Sequence, residues 1–509
     1  MLSIYVTTKH VQTVTAQINS IDRLNELVEI VQADYIPENT HQLAFGVSED
    51  QFYFPLDWGQ FGPPYLLPSA IEVKGDLLLG IVFGLLGNLE VAAQYCGAEP
   101  NLFIELELRN QLQVQELIKP SDIHFLIDHQ VGQSGPEQHR LAHNISTILH
   151  FGHLQVEVNV EELAASYEAA LGHSTDNEAK AFTAWQFSGL LNDLGHRKAA
   201  EQILLDHMEE SLADPARYAL QAALIRCWMD QLTVPYNTEL MDNLKSGIWE
   251  TLKYFESVGR LADAGILYLD AAHIANVSES FTESLGYVQK AIGYFQGQGL
   301  PELIGHAQMH KGRLMYAWAQ NGNPQFFKPA TEAYHEALKV FTKEAAPDVF
   351  AEIQHQLGLL YAEMPAEVKK KSIWAGVSNS SFLEALEYYN SVDYPYEYAM
   401  ICNNYGNALC KFPQAIHSDN YEKALFYYQE SLNHRDASFP IERALTLLNF
   451  LEASWNVSNQ NEQFNVERYQ DMHKKVNEIL SLVGDGEIRE EAQKHMEMLN
   501  ALNETVSEQ

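Results

Sequence analysis

The sequence predicts a mainly α protein: an α-solenoid of stacked helix pairs preceded by a small mixed α/β domain. Three observations predict it. A motif recurs about every 40 residues, small side chains hold fixed places within each recurrence, and the first 135 residues follow a different pattern.

The recurrence is a proline followed four residues later by a small residue. It reads PARYA from Pro215, PELIG from Pro301, PDVFA from Pro347, PYEYA from Pro395 and PIERA from Pro440. Proline suits the first turn of a helix, where its fixed φ and missing N–H cost little. Seven residues past the small residue stand Arg226, Gly312, Gly358, Gly406 and Leu451. Two units lack the proline and run through Ala272 and Gly189, and a weaker unit starts at Pro136. Each unit has a second half, as in FTESLGYVQKAI (281–292), FKPATEAYHEAL (327–338), FLEALEYYNSV (382–392) and YEKALFYYQESL (421–432). Ser284, Ala330, Ala385 and Ala424 share one position there, and apolar residues recur at helical spacing. Each unit is therefore expected to be a pair of helices, about seven to eight pairs over 136–482. A glycine inside a helix costs about 1 kcal/mol relative to alanine. At Gly406, Gly358, Gly312, Gly189 and Ala272 the small residue is expected to let the second helix approach the first, with Tyr389, Tyr427 and Tyr428 filling the surrounding space. The stretch 364–381 reads as a long turn within its unit.

NNYGNAL (403–409) followed by YEKALFYYQESL resembles the tetratricopeptide repeat family, in the small residue Gly406, the alanine Ala424 and the aromatic Tyr428. Long repeats of the form PxxYAxxxNNxGNA look like those of bacterial signalling proteins, including ones joined to CHAT proteases; no protease domain is visible in this sequence. The resemblance implies a right-handed solenoid whose first helices line a groove for a partner peptide or helix. Carried over residue by residue, the groove positions are His273, Asn276, His306, Met309, Arg313, His355, Asn403, Asn407 and Lys411. Asn407 matches an asparagine that often holds a ligand's backbone in that family. His273, His306, Arg313 and Lys411 would form a positive strip suited to an acidic peptide.

The N-terminal 135 residues predict α/β structure. SIDRLNELVEIVQADY (20–35) reads as an amphipathic helix capped by Ser20, LAFGVSEDQFYFPL (43–56) as a hairpin, and FIELELRNQLQVQEL (103–117) as an alternating strand. The segment 76–97 reads as a short helical hairpin whose apolar run is too short to cross a bilayer. At the other end, 483–509 predicts a charged capping helix that frays into a tail.

The 68 acidic and 32 basic residues leave a formal charge of −36. That argues against nucleic acid and anionic membranes as partners, because phosphate binding needs a basic surface. Four cysteines without a CxxC pair, and a start without a secretory pattern, predict a cytoplasmic protein with free thiols. GxxxxGK[ST], HExxH and GxSxG are absent. His139, His143, His150 and His153 fall on one helical face, and Asp122, His124, Asp128 and His129 form a second cluster. Packing or solvation accounts for both, so neither a metal nor a cofactor is expected. The sequence thus predicts a non-enzymatic protein-interaction scaffold or adaptor. The alternatives are a sensor whose superhelix changes on binding a ligand, and a metal-dependent enzyme using the N-terminal region.

Overall fold

The computed structural model describes all residues except 38–42, 61, 69–70, 98, 156–157, 174–175, 366, 415–418, 459–463 and 508–509. The chain divides into two compact units, Met1–Ile274 and Ala275–Gln509.

The first unit opens with strand β1 (Leu2–Val6), helix α1 (Val11–Asn19), and strands β2 (Val28–Gln32), β3 (Ala44–Ser48), β4 (Gln51–Tyr53) and β5 (Ile71–Glu72). They form one sheet in the order β2-β1-β3-β4-β5. β1 runs parallel to both neighbours, with Ile4 opposite Ile30 on one side and Phe45 on the other. β3 and β4 are the expected hairpin, turning at Glu49 and Asp50, whose φ of 50° and 61° are what a tight two-residue hairpin turn requires. The helix expected over 20–35 is not formed. The Ser20 backbone N–H closes α1, Arg23 turns left-handed, and Val28, Ile30 and Val31 lie in β2 beside β1. β-branched side chains pack well on a pleated sheet, and the neighbouring strand decides the matter.

Helices α2 (Leu77–Leu85) and α3 (Leu89–Tyr95) form the expected short hairpin, with nearly all of α2 buried. The stretch expected as a strand at 103–117 is instead helix α4 (Pro100–Val114). Its buried residues Leu102, Glu105, Leu106, Leu108, Arg109 and Leu112 recur at three and four, and the apparent alternation of Ile104, Leu106 and Leu108 is a part of that pattern. Helix α5 (Pro120–Gln130) follows, and a two-stranded parallel pair joins β6 (Leu117–Ile118) to β7 (His153–Leu154). Helix α6 (Gly135–Phe151) starts where the first repeat was expected, yet Leu141 and Ile148 belong to the same apolar core as the sheet.

From α6 the helices alternate between first and second members of pairs. In order they are α7 (Val160–His173), α8 (Asn177–Asp193), α9 (Arg197–Asp206), α10 (Asp214–Asp230), α11 (Thr238–Ser257), α12 (Leu261–Val277) and α13 (Phe281–Gln298). Then come α14 (Pro301–Gln320), α15 (Phe327–Ala337), α16 (Pro347–Glu363), α17 (Val368–Tyr388), α18 (Pro395–Lys411), α19 (Asn420–His434), α20 (Pro440–Asn456), α21 (Val466–Leu482) and α22 (Glu487–Ser507). Pro301, Pro347, Pro395 and Pro440 each occupy the first helical position. The expected unit starts at about 136, 178, 215, 261, 301, 347, 395 and 440 all fall within a residue of the start of a helix. α22 packs on α20 and α21 and closes the stack; the last two residues of the expected tail lie outside the described residues.

The small residues work differently from the expectation. A β-carbon on Gly406 would lie 2.5 Å from the Tyr428 ring, on Gly312 2.7 Å from Tyr334, and on Gly358 2.9 Å from Phe382. The glycine thus seats an aromatic side chain of the second helix and not its backbone. Gly189 has nothing within 4 Å of that point, so it relieves no crowding. The long turn expected at 364–381 is mostly helix, because α17 begins at Val368. Trp374 stacks on Tyr361 at 5.2 Å, and the Ser378 hydroxyl donates to the Gly358 carbonyl at 2.6 Å. Those contacts stabilise a helix that its serines, Asn379 and Gly376 disfavour locally. Among the described residues, no helix is long and apolar enough to cross a membrane.

Candidate functional site

The residues expected to line a partner groove occupy first helices, but most are engaged within the protein. Met309 is 3% exposed and belongs to the core around Tyr334 and Phe341, so it is a packing residue. His355 is 5% exposed; burial lowers its pKa to about 4, and its Nε2 lies 3.0 Å from Asn404 Nδ2. Asn407 Oδ1 accepts the Tyr428 hydroxyl at 2.7 Å. Asn403 Oδ1 accepts Asn449 Nδ2 at 3.1 Å, and Asn276 Oδ1 accepts the Trp318 indole N–H at 3.2 Å. His273 is half-buried, and burial lowers its pKa. His306 is exposed, with its ring 4.7 Å from that of Phe341.

The two strong cations expected in the positive strip both have carboxylate partners. Arg313 on α14 pairs with Glu352 on α16, and Lys411 on α18 bonds Glu363 on α16 at 2.7 Å. Glu363 also accepts the Tyr316 hydroxyl and the Gln320 amide, each at 2.9 Å. Burial pushes the Glu363 pKa up, but the bonds from Lys411, Gln320 and Tyr316 outweigh it and hold the carboxyl below its usual range. Arg313–Glu352, Lys411–Glu363, His355–Asn404 and Asn403–Asn449 therefore form a ladder of side-chain contacts from α14 to α20. The ladder fixes neighbouring first helices in register and pairs both strong cations of the strip with carboxylates. On the same first helices α14, α18 and α20, His306, Tyr396 and Leu445 stay exposed.

The expected histidine face divides. Thr183 Oγ1 lies 2.9 Å from both His139 Nε2 and His143 Nδ1, and His143 Nε2 donates to the Pro64 carbonyl at 2.7 Å. Burial lowers the pKa of His139 to about 4 and of His143 to about 3. His150 meets the Tyr167 hydroxyl at 3.0 Å, and His153 lies exposed beside the Gln115 carbonyl. In the second cluster, His129 contacts Asn101 and the Phe125 carbonyl, while Asp122 caps α5. Among the described residues, the one group compact enough for a metal is Glu452, Glu491 and His495, which sequence reasoning did not single out. The Trp455 N–H donates to His495 Nδ1 at 3.0 Å, which leaves the proton on Nε2 and no lone pair there for a cation. Lys494 already holds Glu491 at 2.8 Å.

A second candidate lies wholly within the first unit. Residues 55–59 and 63–67 and helices α4, α6 and α8 line a cavity of about 510 Å³. The loop is clamped by buried polar groups. Arg140 bonds both oxygens of Glu105 at 2.7 Å and also the Leu66 carbonyl at 2.8 Å, and the Tyr65 hydroxyl donates to Glu105 at 2.9 Å. Asn144 bonds the Leu66 backbone through both ends of its amide at 2.8 Å. Trp58, at the cavity wall, stacks on Trp185 at 5.5 Å and meets Phe182 edge-on at 5.1 Å. The sequence signal was LDWGQFGPPYLLP (56–68), a turn-rich stretch carrying unusually large aromatic residues; the partners that make it a cavity wall are distant in sequence.

No family model and no curated protein matches the sequence. Solved structures similar to the chain include a signal-transduction ATPase with numerous domains and a tetratricopeptide repeat sensor, from Pyrococcus horikoshii. It is 12% identical, with 94% of this chain and 80% of that chain covered and a TM-score of 0.48. The human IFIT1 dimer with PPP-AAAA is 15% identical over 84% of this chain and 89% of that one, TM-score 0.36. The tetratricopeptide repeat domain of P58(IPK) is 12% identical over 84% and 99%, TM-score 0.22. The architecture itself is a mainly α chain of tetratricopeptide-like helix pairs with a five-stranded sheet at the N-terminus.

Proposed function

We propose that this protein is a non-enzymatic interaction scaffold whose first-helix face binds a segment of a protein partner. The observation that carries the reading is the side-chain ladder from α14 to α20. It holds the first helices in one arrangement before any partner arrives, which reduces the ordering cost of binding. Because Arg313 and Lys411 are neutralised by Glu352 and Glu363, recognition rests on exposed apolar and aromatic side chains such as Leu445 and Tyr396. An amphipathic helix matches such a surface better than an acidic peptide. The four unpaired cysteines support a reducing, cytoplasmic setting.

Photo-crosslinking tests the reading. Benzoylphenylalanine placed at His306 or Leu445 is expected to capture the same protein from source-cell extract, while the exposed second-helix position Phe426 captures none of it. Equal capture from all three positions refutes the proposal. A second reading, a sensor answering to a ligand, is supported by the cavity of the first unit.

A further inference from the structure

The cavity in the first unit carries an inference that stands whether or not the repeat face takes a partner, and supplies the ligand for the sensor reading. Its volume, about 510 Å³, is that of a small-molecule site. Leu56, Trp58, Pro64, Leu85 and Phe182 provide an apolar lining. The clamp on the loop 55–67 makes that lining preformed.

One group in the wall is out of keeping with it. Arg109 is 7% exposed, yet its one hydrogen bond among the described residues is a long one, from Nη1 to Gln113 Oε1 at 3.4 Å. Glu105, one turn away on α4, is held by Arg140 and Tyr65. Asp57 is the nearby counter-charge, but its two oxygens accept the Gly59 N–H at 3.2 Å and the Gly62 N–H at 2.9 Å. Burial lowers the Arg109 pKa while the Asp57 charge opposes the shift, and the guanidinium remains a cation. A β-carbon on Gly62 would lie 2.6 Å from Arg109 Nη2, so the loop is shaped around this group. A buried guanidinium at a cavity wall with donors to spare is matched by an oxyanion.

The remaining charges narrow the ligand. Asp57, Asp176 and Glu178 also line the cavity, and Arg260 gives its Nε to Asp263 at 2.8 Å. His139, bonded to Thr183, adds no positive charge at neutral pH. Three carboxylates around the cavity repel a polyanion. We infer that the cavity binds a small molecule with an apolar body and a single carboxylate, the carboxylate held by Arg109 and the body lying against Trp58 and Phe182.

Titration calorimetry of the full chain with 3-phenylpropionate, 3-phenylpropionamide and phenyl phosphate tests this. The acid is expected to bind about tenfold or more tightly than the amide and more tightly than phenyl phosphate. Arg109→Gln is expected to remove the preference for the acid and leave the melting temperature unlowered, since it deletes a poorly compensated buried charge. Ala179→Trp, which fills the cavity from α8, is expected to abolish binding of acid and amide alike, and covers the case in which the arginine variant fails to fold. Equal binding of acid and amide, no saturable binding of the acid, tighter binding of phenyl phosphate, or unchanged acid binding in both variants overturns the inference. None of these readouts depends on a protein partner.

Discussion

The Tyr428 ring stands 2.5 Å from the point where a β-carbon on Gly406 would lie, and its hydroxyl donates to Asn407 on the same first helix. One tyrosine therefore explains two neighbouring residues of NNYGNAL: the glycine seats the ring and the asparagine accepts its hydroxyl. Gly406→Ala is expected to destabilise the second unit by about 1–2 kcal/mol, since overpacking costs roughly 1–3 kcal/mol and the gain in helix propensity returns at most about 1. Gly189→Ala, with open space at the equivalent place, is expected to raise the melting temperature of the first unit instead. Urea titrations of the two variants read the opposite signs.

Asn407→Ala leaves the Tyr428 hydroxyl without its acceptor, and Tyr428→Phe leaves the amide without its donor. Each is expected to cost about 1 kcal/mol, and the double variant less than the sum. A full double-mutant cycle checks the coupling. Additive losses would show that the hydrogen bond contributes little.

Acidification is expected to weaken the first unit. In the unfolded chain His139 and His143 protonate near the ordinary histidine value of about 6.5, but in the fold burial holds them at about 4 and about 3. Between those values the unfolded chain binds more protons, so stability is complete above about pH 6.5 and falls as pH is lowered towards the folded values. The slope is roughly 1 kcal/mol per pH unit for each histidine. Melting curves from pH 7 to 5 should show it, and His143→Gln should flatten it.

The loop clamp depends on a buried ion pair. Glu105→Gln strips the charge that Arg140 and Tyr65 share, and is expected to cost about 3 kcal/mol and open the loop 55–67 to protease. Glu137→Gln removes a half-exposed partner of the same arginine, and is expected to cost under about 1 kcal/mol. Limited proteolysis with mass mapping compares the two.

Sequence alone determined the repeat. Prolines at first helical positions, small residues at fixed offsets and helical spacing are local signals, and each of the eight expected starts coincides with a helix. The hairpin at Glu49–Asp50 and the short pair α2–α3 were legible for the same reason, since their turns lie between adjacent segments. Tertiary structure decided what local pattern could not. It placed Val28–Gln32 beside β1, and it turned the alternating FIELELRNQLQVQEL into a helix whose Glu105 serves Arg140 while Arg109 stands at the cavity wall. It also took Asn407, His355, Arg313 and Lys411 into contacts within the protein. The physical reason is common to all of these cases. A helix fixes its residues' spacing by itself, but whether a polar side chain is available to a ligand depends on which donors and acceptors the fold brings beside it.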